Sequence, residues 1–159
     1  MTRLRLPRLA WIGVFAVLLA LLAWQVNETR QGRGGDSRSE AAVTVARDQV
    51  LDLTTLDSTT VGAKLAAMSR RTTGDFKQQL SGITKTFDDL VKEKQISATG
   101  QIDSAAISSI SATDASVLIA SSASVTTKDA KATSRTYRVR VKLERIDGSW
   151  KVNGMEFVQ

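Results

Sequence analysis

The sequence predicts an α+β protein: an N-terminal transmembrane helix, then three helices packed on a curved antiparallel sheet. Three observations carry this. An uncharged apolar run lies near the start, helical periodicity follows from about Ser37 to Lys94, and a period of two takes over from Ile96 to the end. Helices first and strands afterwards, with no alternation between them, is the α+β order.

Leu9 to Trp24 contains no charge, and Gln25 and Val26 extend the run to eighteen residues. As a helix it spans roughly 27 Å, enough for a thin hydrocarbon core. The run is apolar on every face, which argues against a buried core helix. Arg3, Arg5 and Arg8 precede it in the tail 1–8, so the positive-inside rule places the N-terminus in the cytoplasm. Trp11 and Trp24 stand near its two ends, where interfacial aromatics belong. The run ends LLAWQVNE, without a small-x-small cleavage site, so an uncleaved single-pass anchor over 9–26 is expected rather than a signal peptide. Residues 27–39, rich in Gly, Ser and Arg, read as a flexible linker. Gly32, Gly34 and Gly35 lack the following Lys-Ser/Thr of a phosphate loop. The domain 40–159 is thereby expected on the extracytoplasmic side of a plasma membrane.

The first helix is expected to start at Asp36 or Ser37 and end at Leu53, with Val43, Ala46, Val50 and Leu53 on one face. The Thr-rich TTLDSTTV, Thr54 to Val61, breaks it, and Asp57 or Ser58 can cap the next. The second helix shows Val61, Leu65 and Met68, and ends at Arg70 and Arg71 beside its negative pole. Gly74-Asp75 opens the third. Its stripe of Phe76, Leu80, Ile83, Phe87, Leu90 and Val91 is expected to be buried under the sheet.

Alternation then runs from Ile96 to Asp103, with a bend at Asp103-Ser104 before Ala105 to Ser111. A turn at Thr113-Asp114 leads into Ser116 to Val125. Thr126 to Ser134 reads as a polar loop. In Arg135 to Ile146, Tyr137, Val139, Val141 and Leu143 face inward, and Arg138, Arg140, Lys142 and Glu144 face outward. Asp147-Gly148 signals a two-residue hairpin. That fixes a register pairing Ile146 with Ser149, Arg145 with Trp150, Glu144 with Lys151 and Leu143 with Val152. It makes Glu144 and Lys151 a cross-strand ion pair and lets Arg145 cover the Trp150 ring. A bulge at Asn153-Gly154 is needed to bring Met155 and Phe157 inward.

Composition restricts the chemistry. The chain has no Cys and no His, which removes thiol nucleophiles, imidazole bases and most zinc sites. The formal charge is +6, but five arginines against Glu28 precede Gly35, and the rest carries seventeen cations and fifteen anions. A nearly balanced domain outside the cytoplasm disfavours nucleic acid as a partner, and the row Arg138, Arg140, Lys142 reads as a solvated strand face. Asp88 and Asp89 point about 100° apart on a helix and read as surface pairs such as Asp88 with Lys92. No Gly-x-Ser-x-Gly elbow or EF-hand pattern occurs. No catalytic, cofactor-binding or metal-binding residue is assigned. An isomerase-like site would have to use Asp103 as base with Tyr137.

VLDLTTLDSTTVGAKL (Val50 to Leu65), TGDFKQQL (Thr73 to Leu80) and YRVRVKLERIDGSWKVNGMEFV (Tyr137 to Val158) together resemble the actinobacterial Mce-associated membrane proteins. The resemblance implies an NTF2-like cone, shared with SnoaL-type enzymes and VirB8-like secretion subunits. It also implies an accessory role that stabilises or assembles Mce lipid or sterol import complexes without catalysis, in partnership with Mce proteins and with the bilayer through residues 9–26. A VirB8-like scaffold of a secretion or conjugation apparatus is the alternative, and a SnoaL-like enzyme and a lipid-binding module are the remaining readings. Leu53, Thr54, Leu56, Asp57, Asp75, Phe76, Tyr137, Asp147, Gly148, Trp150 and Phe157 match the family best and read as fold determinants.

Overall fold

A computed structural model describes residues 37–128 and 130–158. The expected anchor, 9–26, lies outside the described residues, among which no helix is long and apolar enough to cross a membrane.

Helix α1 covers residues 37–54, so the polar stretch 27–39 gives way to helix at its end. Its buried positions are Ala42, Ala46, Gln49, Val50 and Thr54, with Val43 and Leu53 only half-buried. The buried face is therefore turned slightly from the expected stripe. Ala42 and Ala46 are the residues that fit where the helix sits against the sheet. Thr54 ends α1 by returning its hydroxyl to the Val50 carbonyl at 2.8 Å, which competes with helix continuation. Leu56 then exchanges two 2.8 Å backbone bonds with Ala98, tying the exit of α1 to the first strand.

The Asp57 carbonyl accepts from the Thr60 and Val61 amides, and its carboxylate accepts from Thr59. This turn delivers α2, Val61–Arg71, whose Val61, Leu65 and Met68 are buried as their spacing predicts. Helix α3, Gly74–Glu93, starts at a left-handed glycine (φ +58°) after Thr73 has donated to the Val152 carbonyl. It ends in a Schellman arrangement. Ile96 donates to the Val91 carbonyl at 2.9 Å, Gln95 to that of Lys92, and Gln95 takes φ 48°.

The sheet is a meander of order β1-β2-β3-β4: β1 Ser97–Ile110, β2 Asp114–Thr127, β3 Ala130–Ile146 and β4 Ser149–Phe157. Inward residues of β2, β3 and β4 (Val117, Ile119, Val139, Val141, Leu143, Trp150, Val152) form one core with α1. Val61, Leu65, Met68, Leu80 and Val91 form a second between α2 and α3.

The bend expected at Asp103-Ser104 falls where the register shifts between Ile102 and Ser104, a bulge within a continuous β1, and a second shift follows at Ile107/Ser109. Three expectations need correction. Thr126 to Ser134 is not a loop. β2 and β3 continue as a ladder through Ser124↔Ser134 to Thr127↔Ala130, because Thr and Ser suit an exposed strand. Polarity alone gave the wrong reading of this overhang. The α3 stripe is buried only at Leu80 and Val91, while Ile83 and Leu90 are 57% and 44% exposed. α3 packs on α2 and the β4 side rather than beneath the sheet, so one flank of its stripe is left uncovered among the described residues. Lys151 faces Glu144 in register, but its ammonium donates to the Arg70 carbonyl at 2.9 Å.

The closing hairpin forms as its sequence dictates. Asp147 and Gly148 take φ 49° and 79°, as a type I′ turn requires. Ile146↔Ser149 through Leu143↔Val152 pair as expected, and Lys142 then pairs with Gly154, leaving Asn153 as the bulged residue. Arg145 Nε turns back onto the Gly148 carbonyl at 3.2 Å. Met155 packs on the core, but Phe157, with inward parity, is 69% exposed.

Candidate functional site: an apolar cleft between the helices and the sheet

The exposure of Phe157 follows from what lies beside it. The end of α1, the C-terminal half of α3 and the inner face of the sheet do not close on one another. They leave a cleft of about 260 Å³. Val50, Leu53, Thr54 and Leu56 form one wall, Phe87 and Ile96 a second, and Ala98, Ala123, Val125, Tyr137, Val139 and Phe157 the sheet side. Among the described residues, no charged side chain lines it. The Thr54 hydroxyl is already bonded to the Val50 carbonyl. Tyr137 and Phe157 sit on neighbouring strands with ring centroids 6.0 Å apart and planes tilted by 49°, within the contact distance of aromatic pairs. Leu53, Thr54, Leu56, Tyr137 and Phe157, which read from sequence as fold determinants, thus meet around this space.

The isomerase-like pair is not assembled. Asp103 is exposed on the outer face, where its carboxylate accepts from Gln101 at 2.8 Å and Ser122 at 3.0 Å. Tyr137 lies on the inner face, so the sheet stands between the two. Ser121, which shares the inward parity of Val117, Ile119 and Ala123, is fully buried on the inner face with its hydroxyl unpartnered among the described residues.

On the outer face, Arg140 binds Glu156 at 2.8 Å, Lys142 approaches the same carboxylate at 3.5 Å, and Arg140 holds the Glu156 carboxyl below its ordinary range. The basic row is therefore partly neutralised by the strand beside it. On α3, Lys92 pairs with Asp88 and Lys85 with Asp89, each at 2.7 Å, as helical spacing predicts.

A polar clamp that spacing did not reveal joins α1 to α2. Asp52 accepts from Lys64 at 3.0 Å and from Arg71, and Arg71 Nε also donates to buried Gln49 at 3.3 Å. Burial acts to raise the Asp52 carboxyl, but the bonds and charges of Arg71 and Lys64 outweigh it and hold it below the usual carboxylate value. The stability this contributes is present above the ordinary value near 3.8 and is lost as pH falls through the lower folded value. Asp52→Asn should cost about 1–2 kcal/mol at neutral pH and flatten the acid limb of stability below about pH 4. Urea unfolding across pH 2.5–7 checks both; an unchanged acid limb would show that the pair contributes nothing.

The domain's architecture has solved counterparts. The periplasmic domain of DotI matches with a TM-score of 0.61 and 14% identity, covering 75% of this chain and 94% of that one. CagV of Helicobacter pylori, described as a VirB8 homolog of the type IV secretion system, matches at 0.59 and 8% identity, covering 76% and 98%. At such identities the likeness is one of fold: three helices on a four-stranded antiparallel sheet of the VirB8 kind. In sequence, the uncharacterized protein Rv1363c of Mycobacterium tuberculosis is 26% identical over 98% of this chain. The alignment spans 62% of that relative's length. The sequence model of the family described as uncharacterized protein Rv1363c/MT1408-like matches residues 6–159, and this chain belongs to that family.

Proposed function

We propose that this protein is a non-enzymatic scaffold, anchored in the plasma membrane through residues 9–26, whose extracytoplasmic domain assembles or stabilises a transport complex of the cell envelope. The observation that carries the reading is a VirB8-type domain following an apolar run that arginines precede. The separation of Asp103 from Tyr137 supports the absence of catalysis. The sequence resemblance at Val50 to Leu65 and Tyr137 to Val158 favours Mce lipid import complexes as the partner. The likeness to CagV favours the second reading, a secretion or conjugation scaffold.

Affinity purification of the full chain from detergent-solubilised membranes tests this. Mce proteins should co-purify, and deletion should lower their abundance. Recovery of coupling ATPases and secretion subunits instead would establish the second reading, and recovery of neither would sink both. Orientation is separately testable because the chain has no cysteine. Ser124→Cys, on an exposed position of β2, should react with a membrane-impermeant maleimide added to intact cells. Labelling only after lysis would overturn the placement.

A further inference from the structure

The cleft has a charged group at one end that neither the fold nor the scaffold role explains. Arg135 stands opposite Ala123 in the β2–β3 ladder, and Ala123 forms part of the cleft wall. Directly opposed residues on neighbouring strands share a face. Arg135 therefore lies on the cleft side of the sheet, one inward position before Tyr137, or roughly 6–7 Å along the strand. It is exposed, and no ion pair holds it among the described residues. The surrounding stretch from Lys128 to Arg135 carries three cations against Asp129 alone.

An apolar cleft with an exposed cation beyond one end is complementary to an amphiphile with a hydrocarbon chain and an anionic head. The volume of about 260 Å³ lies just below the roughly 300–1,000 Å³ of pockets that enclose drug-sized molecules, which suits a single chain. Phe157, mostly exposed at the cleft, is the side chain such a chain would cover. We propose that the cleft between α1, α3 and the sheet binds one acyl chain of an anionic lipid, with Arg135 facing its headgroup. The proposal rests on the domain lying beside a membrane and not on which complex it serves. Co-purification and lipid binding can therefore fail independently.

The test is photo-crosslinking of membranes containing the full chain with diazirine-bearing palmitic acid, its methyl ester, and a phosphate-headed analogue, with the adducts mapped by mass spectrometry. Adducts are expected on Val50 to Leu56 and around Phe157. Val125→Trp, which fills the cleft mouth, should reduce them about tenfold, with circular dichroism confirming the fold. Arg135→Glu, at an exposed position, should reduce labelling by the acid about three- to tenfold and leave the ester unchanged. Stronger labelling by the phosphate-headed probe at the same residues would support the site and assign the head as phosphate; stronger labelling by the acid would assign a carboxylate. Adducts confined to residues 9–26 or spread over the outer face would overturn the proposal, as would equal responses of acid and ester to Arg135→Glu.

Discussion

Replacing Trp150 by alanine should cost about 4 kcal/mol, the scale for emptying a buried aromatic site. The ring is 6% exposed and belongs to the core that joins α1 to β2, β3 and β4. It also lies two residues beyond Asp147-Gly148, in the first rungs of the closing hairpin. The loss therefore combines a cavity with the weakening of an edge strand. Against a typical total of about 5–15 kcal/mol for a domain, it removes a large share. Denaturant unfolding followed by far-ultraviolet circular dichroism measures it, since fluorescence would lose the one tryptophan of the domain 40–159. A loss below about 1 kcal/mol would mean that the ring does not organise the core. Trp150→Phe should recover more than half of the difference, because it refills most of the volume.

Gly100→Ala should cost about 3 kcal/mol, although it adds one methyl to a strand. A Cβ there would lie 2.7 Å from the Thr54 Cβ and 2.9 Å from its carbonyl carbon, with the Thr54 hydroxyl oxygen closer still. The backbone carbon cannot rotate away. The end of α1 would have to lift off β1, breaking the Leu56–Ala98 bonds and widening the cleft wall. Adding Thr54→Ala should return only part of the loss, since the backbone contact remains. Thermal unfolding of the single and double variants distinguishes this from a propensity effect, which Thr54→Ala would not relieve at all. Nothing in the alternation from Ile96 to Asp103 marks Gly100 as special. Its need for a bare Cα arises from a helix end forty-six positions earlier in the chain.

The same contrast holds elsewhere. The hairpin was legible because turn chemistry is local: a residue pair that accepts positive φ sets the register, and a parity break between Val152 and Met155 demands a bulge. The buried residues of α2 were legible because a helix covered along its length shows its period. The α3 stripe was misread because periodicity reveals an apolar face but not how much of it finds a cover. The long β2–β3 ladder was misread because serine and threonine signal a loop and a solvated strand equally. Asp52, Lys64 and Arg71 carry no joint signature, since a clamp between two helices depends on their relative placement.

The sequence by itself determined the class, the order of three helices and a meander, the closing register, and the lack of thiol and imidazole chemistry. These follow from local propensity, period and composition. Only the tertiary structure decided that Asp103 and Tyr137 are parted by the sheet, that Gly100 must be glycine, and that an apolar cleft lies between the helices and the sheet. Each depends on the gap between elements distant in sequence. That gap is set by side-chain volume and packing, which period and composition do not encode.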